Sequence, residues 1–130
     1  MKFQPDTLDG VNPITRQEAG CVWVASTPFR HSVLVPWRGE VLPWQAATLA
    51  DLTAKHFEQV AACKPEVVIF GSGARLRFLP PALLRALYAA RIGIETMDTA
   101  AACRTYNVLV AEGRNALAAL LIESPVEPLL

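Results

Sequence analysis

The sequence predicts an α/β fold, a mixed sheet with helices on its faces, and three observations carry that prediction. Val67-Val68-Ile69-Phe70 is an uninterrupted apolar run of the kind found in strands buried on both faces. A glycine-rich break, Gly71-Ser72-Gly73, stops that run abruptly. Beyond it, helical and extended patterns alternate as far as residue 122, giving the order strand, helix, strand, helix, strand. With 130 residues and 52% apolar composition the chain has room for one ordinary domain. No repeat or linker divides it, so a single domain over 1–130 is expected, with an ordered core over about 3–123 and a frayed tail at 124–130.

Along the chain, the first 20 residues mix Pro5, Gly10, Pro13 and Gly20 with charges and read as an extended arm. Cys21-Val22-Trp23-Val24-Ala25 reads as a strand, closed by Thr27-Pro28. Ser32 to Val35 and Glu40 to Leu42 are two more short strands, and Pro36-Trp37-Arg38-Gly39 supplies the turn of an antiparallel hairpin. A helix is expected over Thr48 to Ala62. Thr48 and Asp51 are placed as a capping box, and Leu49, Leu52, His56, Phe57 and Val60 form the inner stripe.

After the strand at 67–70, Pro80-Pro81 opens a second helix to about Arg91 that packs through Leu84, Leu87 and Tyr88. Ile94 to Met97 make a further strand. Asp98 or Thr99 caps a third helix, which ends near Gly113, where a C′ glycine belongs. Ala116 to Ile122 fits strand or helix by periodicity. A returning strand is favoured because the segment follows a tight Gly-Arg-Asn turn.

Composition excludes several function classes. Twelve basic and twelve acidic residues give a net charge of zero, against the basic stripe of a dedicated nucleic-acid binder. No run approaches 18 apolar residues, so no direct membrane insertion is expected. The N-terminal MKFQPDTLDG has neither the apolar region of a secretory signal nor the Arg/Ser-rich look of an organelle presequence. Cys21, Cys63 and Cys103 are odd in number, far apart and without Cys or His at ligand spacing. They fit neither a disulfide framework nor a metal site, and a reducing, cytoplasmic compartment is the expectation.

Four constellations are candidates for chemistry or contact. In Gly71-Ser72-Gly73-Ala74-Arg75-Leu76-Arg77-Phe78 the glycines either shape a tight loop or let backbone approach an anion that Arg75 and Arg77 grip. A dinucleotide fingerprint would need a third glycine at position 76, which is Leu76, and a P-loop would need Gly-Lys-Ser/Thr. In the third helix, Arg104 and Asn107 share a face, and they point into a cleft or bond internally; Asp98 is a cap or a site residue, and Arg104 can pair with Asp98 or Glu95. Cys103, just past the first turn, is a buried structural thiol or one slightly activated by the helix dipole, with no histidine near it. Trp37 and Trp44, with Arg38, form a partner patch or close the open end of the core. No Ser-His-Asp set or cofactor motif is present, so no cofactor is expected and the reading leans away from an enzyme.

Pro65-Glu66-Val67-Val68-Ile69-Phe70-Gly71-Ser72-Gly73, then Arg77-Phe78, then Gly93-Ile94-Glu95-Thr96-Met97-Asp98-Thr99-Ala100-Ala101-Ala102-Cys103-Arg104-Thr105-Tyr106-Asn107 resemble a small uncharacterised α/β family. It is typified by an archaeal hypothetical protein and includes the mitochondrial NADH dehydrogenase (complex I) assembly factor 3. Ser72 stands where the family usually has Thr. The resemblance implies a three-layer fold around a mixed, mostly parallel sheet with one antiparallel strand. It does not imply an enzyme, and for the eukaryotic members it implies a protein-binding role in assembling a membrane respiratory complex. Without an evident presequence this chain reads as a prokaryotic relative. By analogy it is expected to be a non-enzymatic protein-interaction module with a protein partner, an assembly factor for a respiratory membrane complex. The alternative is a small anionic-ligand-binding or catalytic domain with its site at the 71–78 loop and the start of the third helix. A third helix so poor in polar surface reflects core burial or a homodimer face.

Overall fold

A computed structural model describes residues 10–123. Its central sheet contains β4 (Val33–Pro36), β5 (Leu42–Pro43), β6 (Val67–Gly71), β7 (Gly93–Met97) and β8 (Ala116–Leu120), in the order β5-β4-β8-β6-β7. β6 lies parallel to both β7 and β8, whereas β4 pairs antiparallel with β8 and β5 antiparallel with β4. Four strands therefore point one way and β4 alone runs against them. This is the mixed sheet that the residue pattern predicts, with the one antiparallel strand that the family resemblance implies.

Each face of this sheet is covered. The helices α1 (Ala54–Ala62) and α2 (Arg85–Ala89) lie on one face, over Leu34, Val68, Phe70, Leu117 and Ala119. The opposite face, with Val33, Val35, Ile69, Ala118 and Leu120, is covered by α3 (Thr99–Ala111) and by a second sheet. That second sheet is antiparallel, built from β1 (Ile14–Glu18), β2 (Cys21–Val24) and β3 (Thr27–Phe29). Strand alternation explains the division: Val68 and Phe70 face one core, while Ile69 between them faces the other.

Several expectations need correction. Residues 10–20 are no extended arm: Ile14–Glu18 is a strand, missed because only Ile14 is buried and the rest is polar. Residues 1–9 and 124–130, including the expected start of the core and the frayed tail, lie outside the described residues. The hairpin at 32–42 forms, with its strands at Val33–Pro36 and Leu42–Pro43.

The helix expected over 48–62 is broken in two. Asp51 accepts hydrogen bonds from the backbone N–H groups of Ala47 (3.1 Å) and Thr48 (3.0 Å), closing a 3-10 turn at Leu49–Asp51. These bonds hold the Asp51 carboxyl below its ordinary pKa. Leu52 is then extended, and Thr53 caps α1 afresh.

The second helix is likewise shorter, a 3-10 turn at Pro81–Leu84 leading into α2. Leu84 and Leu87 are buried as expected, but Tyr88 is 55% exposed and belongs to no packing face. α3 and β8 form as read, and Gly113 adopts φ +80 just past the helix.

Candidate functional site

The candidate loop sits where β6, β7 and β8 end, the edge at which open α/β sheets place ligands. Thr99, the first residue of α3, binds that edge together. Its hydroxyl accepts from the Gly73 N–H (2.9 Å) and donates to the Leu121 carbonyl (2.8 Å), and its own N–H donates to the Gly73 carbonyl (2.8 Å). The closeness explains both glycines. A Cβ on Gly71 would stand 2.9 Å from the Thr99 Cα, and Gly73 has φ +101, a conformation side chains rarely adopt.

Ser72 is fully buried. Its hydroxyl donates toward the carbonyls of Arg75 (2.8 Å) and Met97 (3.1 Å) and accepts from the Arg77 N–H (2.9 Å). The Arg77 guanidinium donates to the Ser72 carbonyl (2.5 Å) and forms a half-buried ion pair with Glu123 (2.5 Å). The loop is thus a self-bonded turn, and Arg77 is spent holding it rather than gripping an anion. Arg75 is exposed beside it.

On α3 the pairing read from the sequence also resolves differently. Asp98 is the N-cap, accepting from the Ala101 N–H at 2.8 Å. Arg104 is exposed and forms no ion pair with Asp98, Glu95 or any other of the described residues. Asn107 points away from any cleft. Its side chain accepts from the Ile14 N–H (2.9 Å) and donates to the Ile14 carbonyl (2.7 Å), fastening β1 along the helix. One residue earlier in the chain, Tyr106 is buried and its hydroxyl donates toward the carbonyls of Asn12 (2.8 Å) and Pro36 (3.0 Å). Burial raises the phenol's pKa. The enclosed character of α3 therefore comes from the core and the small sheet.

Cys103 is buried, and desolvation pushes its thiol up to about 12, outweighing the lowering effect of Arg104. It is not an activated nucleophile, whatever the helix dipole contributes. Neither histidine is near chemistry of that kind. His56 Nδ1 accepts from the Thr53 N–H (3.0 Å) and Nε2 lies 2.7 Å from the Gln45 carbonyl, which fixes the Nε2–H tautomer. His31 Nδ1 approaches the Ser32 carbonyl and its ring stands edge-on to Phe29. Among the described residues no three His, Cys, Asp or Glu side chains are grouped to hold a metal.

The aromatic patch is also corrected. Trp44 is only 2% exposed, packed edge-to-face with Phe57 and Phe70, and its indole N–H donates to the His56 carbonyl (3.3 Å). It is core. Trp37 is half-buried, with the Arg38 guanidinium 4.3 Å over its ring, so these two alone remain at the surface. The exposed large apolar side chains among the described residues are Leu76, Phe78, Tyr88 and Val108, with Phe78 73% exposed; the residue pattern assigns Tyr88 a packing face and the other three no surface role. Their signal was available for Leu76 and Phe78, which alternate with arginines in a segment too polar for a strand interior.

An open groove of about 1050 Å³ does join the glycine loop to α3, but it gathers other residues than those named. Gly73 and Asp98 border it; Arg75, Arg77, Arg104 and Asn107 do not. Trp44, Ala46, Leu121 and Ile122 give it apolar walls, and Arg30, His31, Glu18 and Glu123 give it mixed charge.

A family profile described as a protein of unknown function (DUF498/DUF598) matches residues 14–121. The chain belongs to that family. Among its relatives is the bovine (Bos taurus) NADH dehydrogenase [ubiquinone] 1 alpha subcomplex assembly factor 3, 37% identical over 83 residues, 62% of this chain and 45% of the relative. An uncharacterised protein of Rhodobacter capsulatus is 33% identical over 114 residues, covering 88% of this chain and 82% of the relative. A crystal structure from Bordetella parapertussis superposes with a TM-score of 0.83 at 39% identity, covering 92% of this chain and all of the other. The family resemblance carried by the 65–78 and 93–107 segments therefore holds. This chain spans about half the length of the assembly factors it matches.

Proposed function

We propose that this chain is a protein-interaction module that assists assembly of a respiratory membrane complex, working in the cytoplasm of a prokaryotic cell. The observation that carries the reading is the 37% identity to an NADH dehydrogenase assembly factor within one family. The local chemistry agrees with it. Ser72, Thr99, Tyr106 and Asn107 satisfy backbone groups of the fold, and Cys103 stays protonated, which leaves surface contact as the work for the exposed side chains. Leu76 and Phe78, projecting beside Arg75, have the apolar-and-arginine character of interface anchors.

The test is deletion of the gene in its host, followed by native gel analysis of the membranes. The expected result is loss of assembled NADH dehydrogenase while its subunits persist as smaller intermediates, restored by the wild-type chain. An unaltered level of assembled complex contradicts the reading.

The groove supports a second reading, binding of a small molecule. Its ligand would lie along the apolar walls with a polar end toward Arg30, His31 and the start of α3. A thermal-shift screen over nucleotides, sugar phosphates and carboxylates tests it; a ligand at 100 times its dissociation constant adds about 2.7 kcal/mol. No shift from any of them removes this reading.

A further inference from the structure

The two sheets have four edges, and three are blunted. β5 is two residues long and ends in Pro43, β3 carries Pro28, and β1 has a register irregularity and has the Ile14 N–H and carbonyl taken by Asn107. These are the usual protections against unwanted strand pairing. The fourth edge, β7, has none of them: five residues, Gly-Ile-Glu-Thr-Met, without proline, lysine or bulge.

The register shows which of its groups are free. The Met97 carbonyl accepts from Ser72 N–H, so Gly93, Glu95 and Met97 turn their backbone groups toward β6. Ile94 and Thr96 turn theirs outward, and no described residue hydrogen-bonds to them. Glu95, between them, is exposed.

From this edge we infer that β7 accepts an added antiparallel strand from a protein partner, and that the partner places a lysine or arginine opposite Glu95. This rests on the interaction-module reading above and names the surface it uses. Charge decides the occupant. A second copy of the chain could use both free residues only by setting Ile94 opposite Thr96 of the copy. That register brings the two Glu95 side chains face to face in a non-hydrogen-bonded pair, with Cα atoms about 4.5 Å apart. Like charges directly opposite are destabilising and opposite charges stabilising, so the edge disfavours itself and favours a basic strand.

The experiment uses the full chain and two synthetic peptides, acetyl-Thr-Val-Lys-Val-Thr-amide and its Glu-centred counterpart, with amide exchange followed by NMR. The expected result is slowed exchange at Ile94 and Thr96, with the Lys peptide binding about two- to fivefold more tightly than the Glu peptide. In Glu95→Lys the preference reverses. Thr96→Pro removes an outward N–H and no bond to β6, so it abolishes binding while the Ser72 and Met97 amides stay protected.

Unchanged exchange at Ile94 and Thr96 with both peptides, or no charge preference, overturns the inference. So does protection of those two amides without peptide, which in a sedimenting dimer assigns the edge to a second copy and in a monomer to the chain's own termini. The two readings fail separately. If Thr96→Pro still restores assembled NADH dehydrogenase in the deletion host, the β7 inference falls and the module reading stands; if the wild-type chain has no effect on assembly, the module reading falls whatever the peptides do.

Discussion

The two faces of the five-stranded sheet are held by different chemistry. Toward α1 and α2 the contact is aromatic: Trp44, Phe57 and Phe70 meet edge-to-face, the His56 ring stands edge-on to Trp44, and the Trp44 N–H donates to the His56 carbonyl. Toward α3 and the small sheet the side chains are smaller, with Ala102, Ala116 and Ala118 between helix and strand, and polar clasps finish the work. Thr99 ties the strand ends, Tyr106 reaches Asn12 and Pro36, and Asn107 holds β1. Met97 and the α3 residues up to Asn107, part of the stretch that carries the family resemblance, belong to this second face, whereas Ile94 packs on the first. The second face has the specificity of a fastening, because each clasp must meet particular backbone groups at hydrogen-bond distance, whereas an apolar core accepts many shapes.

The contrast yields graded expectations. Phe57→Ala opens a cavity in the aromatic core and should cost about 3–5 kcal/mol, a large share of the stability of a domain of this size, read as a lowered midpoint in urea titration. Asn107→Ala strands the Ile14 N–H and carbonyl and should cost about 1–3 kcal/mol by the same titration. A loss as large as that of Phe57→Ala would erase the distinction between the two faces.

Alkali should act strongly on the α3 face. The Cys103 thiol is raised from 9.0 to about 12 in the folded protein, so folded chain holds a proton that unfolded chain releases. Its contribution is complete below pH 9 and falls by about 1.4 kcal/mol per pH unit between pH 9 and 12. Stability followed against pH should therefore decline above 9, and Cys103→Ala should remove its own share of that decline, leaving what the Cys63 thiol, also raised by burial, and Tyr106 contribute. The smallest effect is expected at the surface. Phe78→Ser should change stability by less than about 0.5 kcal/mol, yet lower the amount of assembled respiratory complex that the chain restores in a deletion host.

Local signals gave much of this fold away. The apolar run 67–70, the Asp98 cap, Gly113 beyond α3 and the turn at 36–39 each declare an element within a few residues of themselves. What escaped depends on distance or on alternation with polar residues. β1 shows one buried residue in five, and Asn107 finds Ile14 across 93 positions of chain, so neither pattern marks its partner. Trp44 follows a proline, so its place in patch or core stayed open until packing decided for the core, and Thr53 re-caps a helix that periodicity ran straight through. At the candidate site Gly73 and Asp98 do border one groove, while Thr99, offered by the sequence only as a cap, ties the glycine loop to α3. The arginines were separated, because Arg77 is taken by Glu123 and Arg104 faces solvent.

The most direct test of the claim that the family motif fastens the small sheet is residue-resolved amide exchange on Asn107→Ala. Loss of protection confined to β1–β3, with β6 and β8 keeping theirs, is the predicted result. Even loss across both sheets, or no change at Ile14, would contradict it.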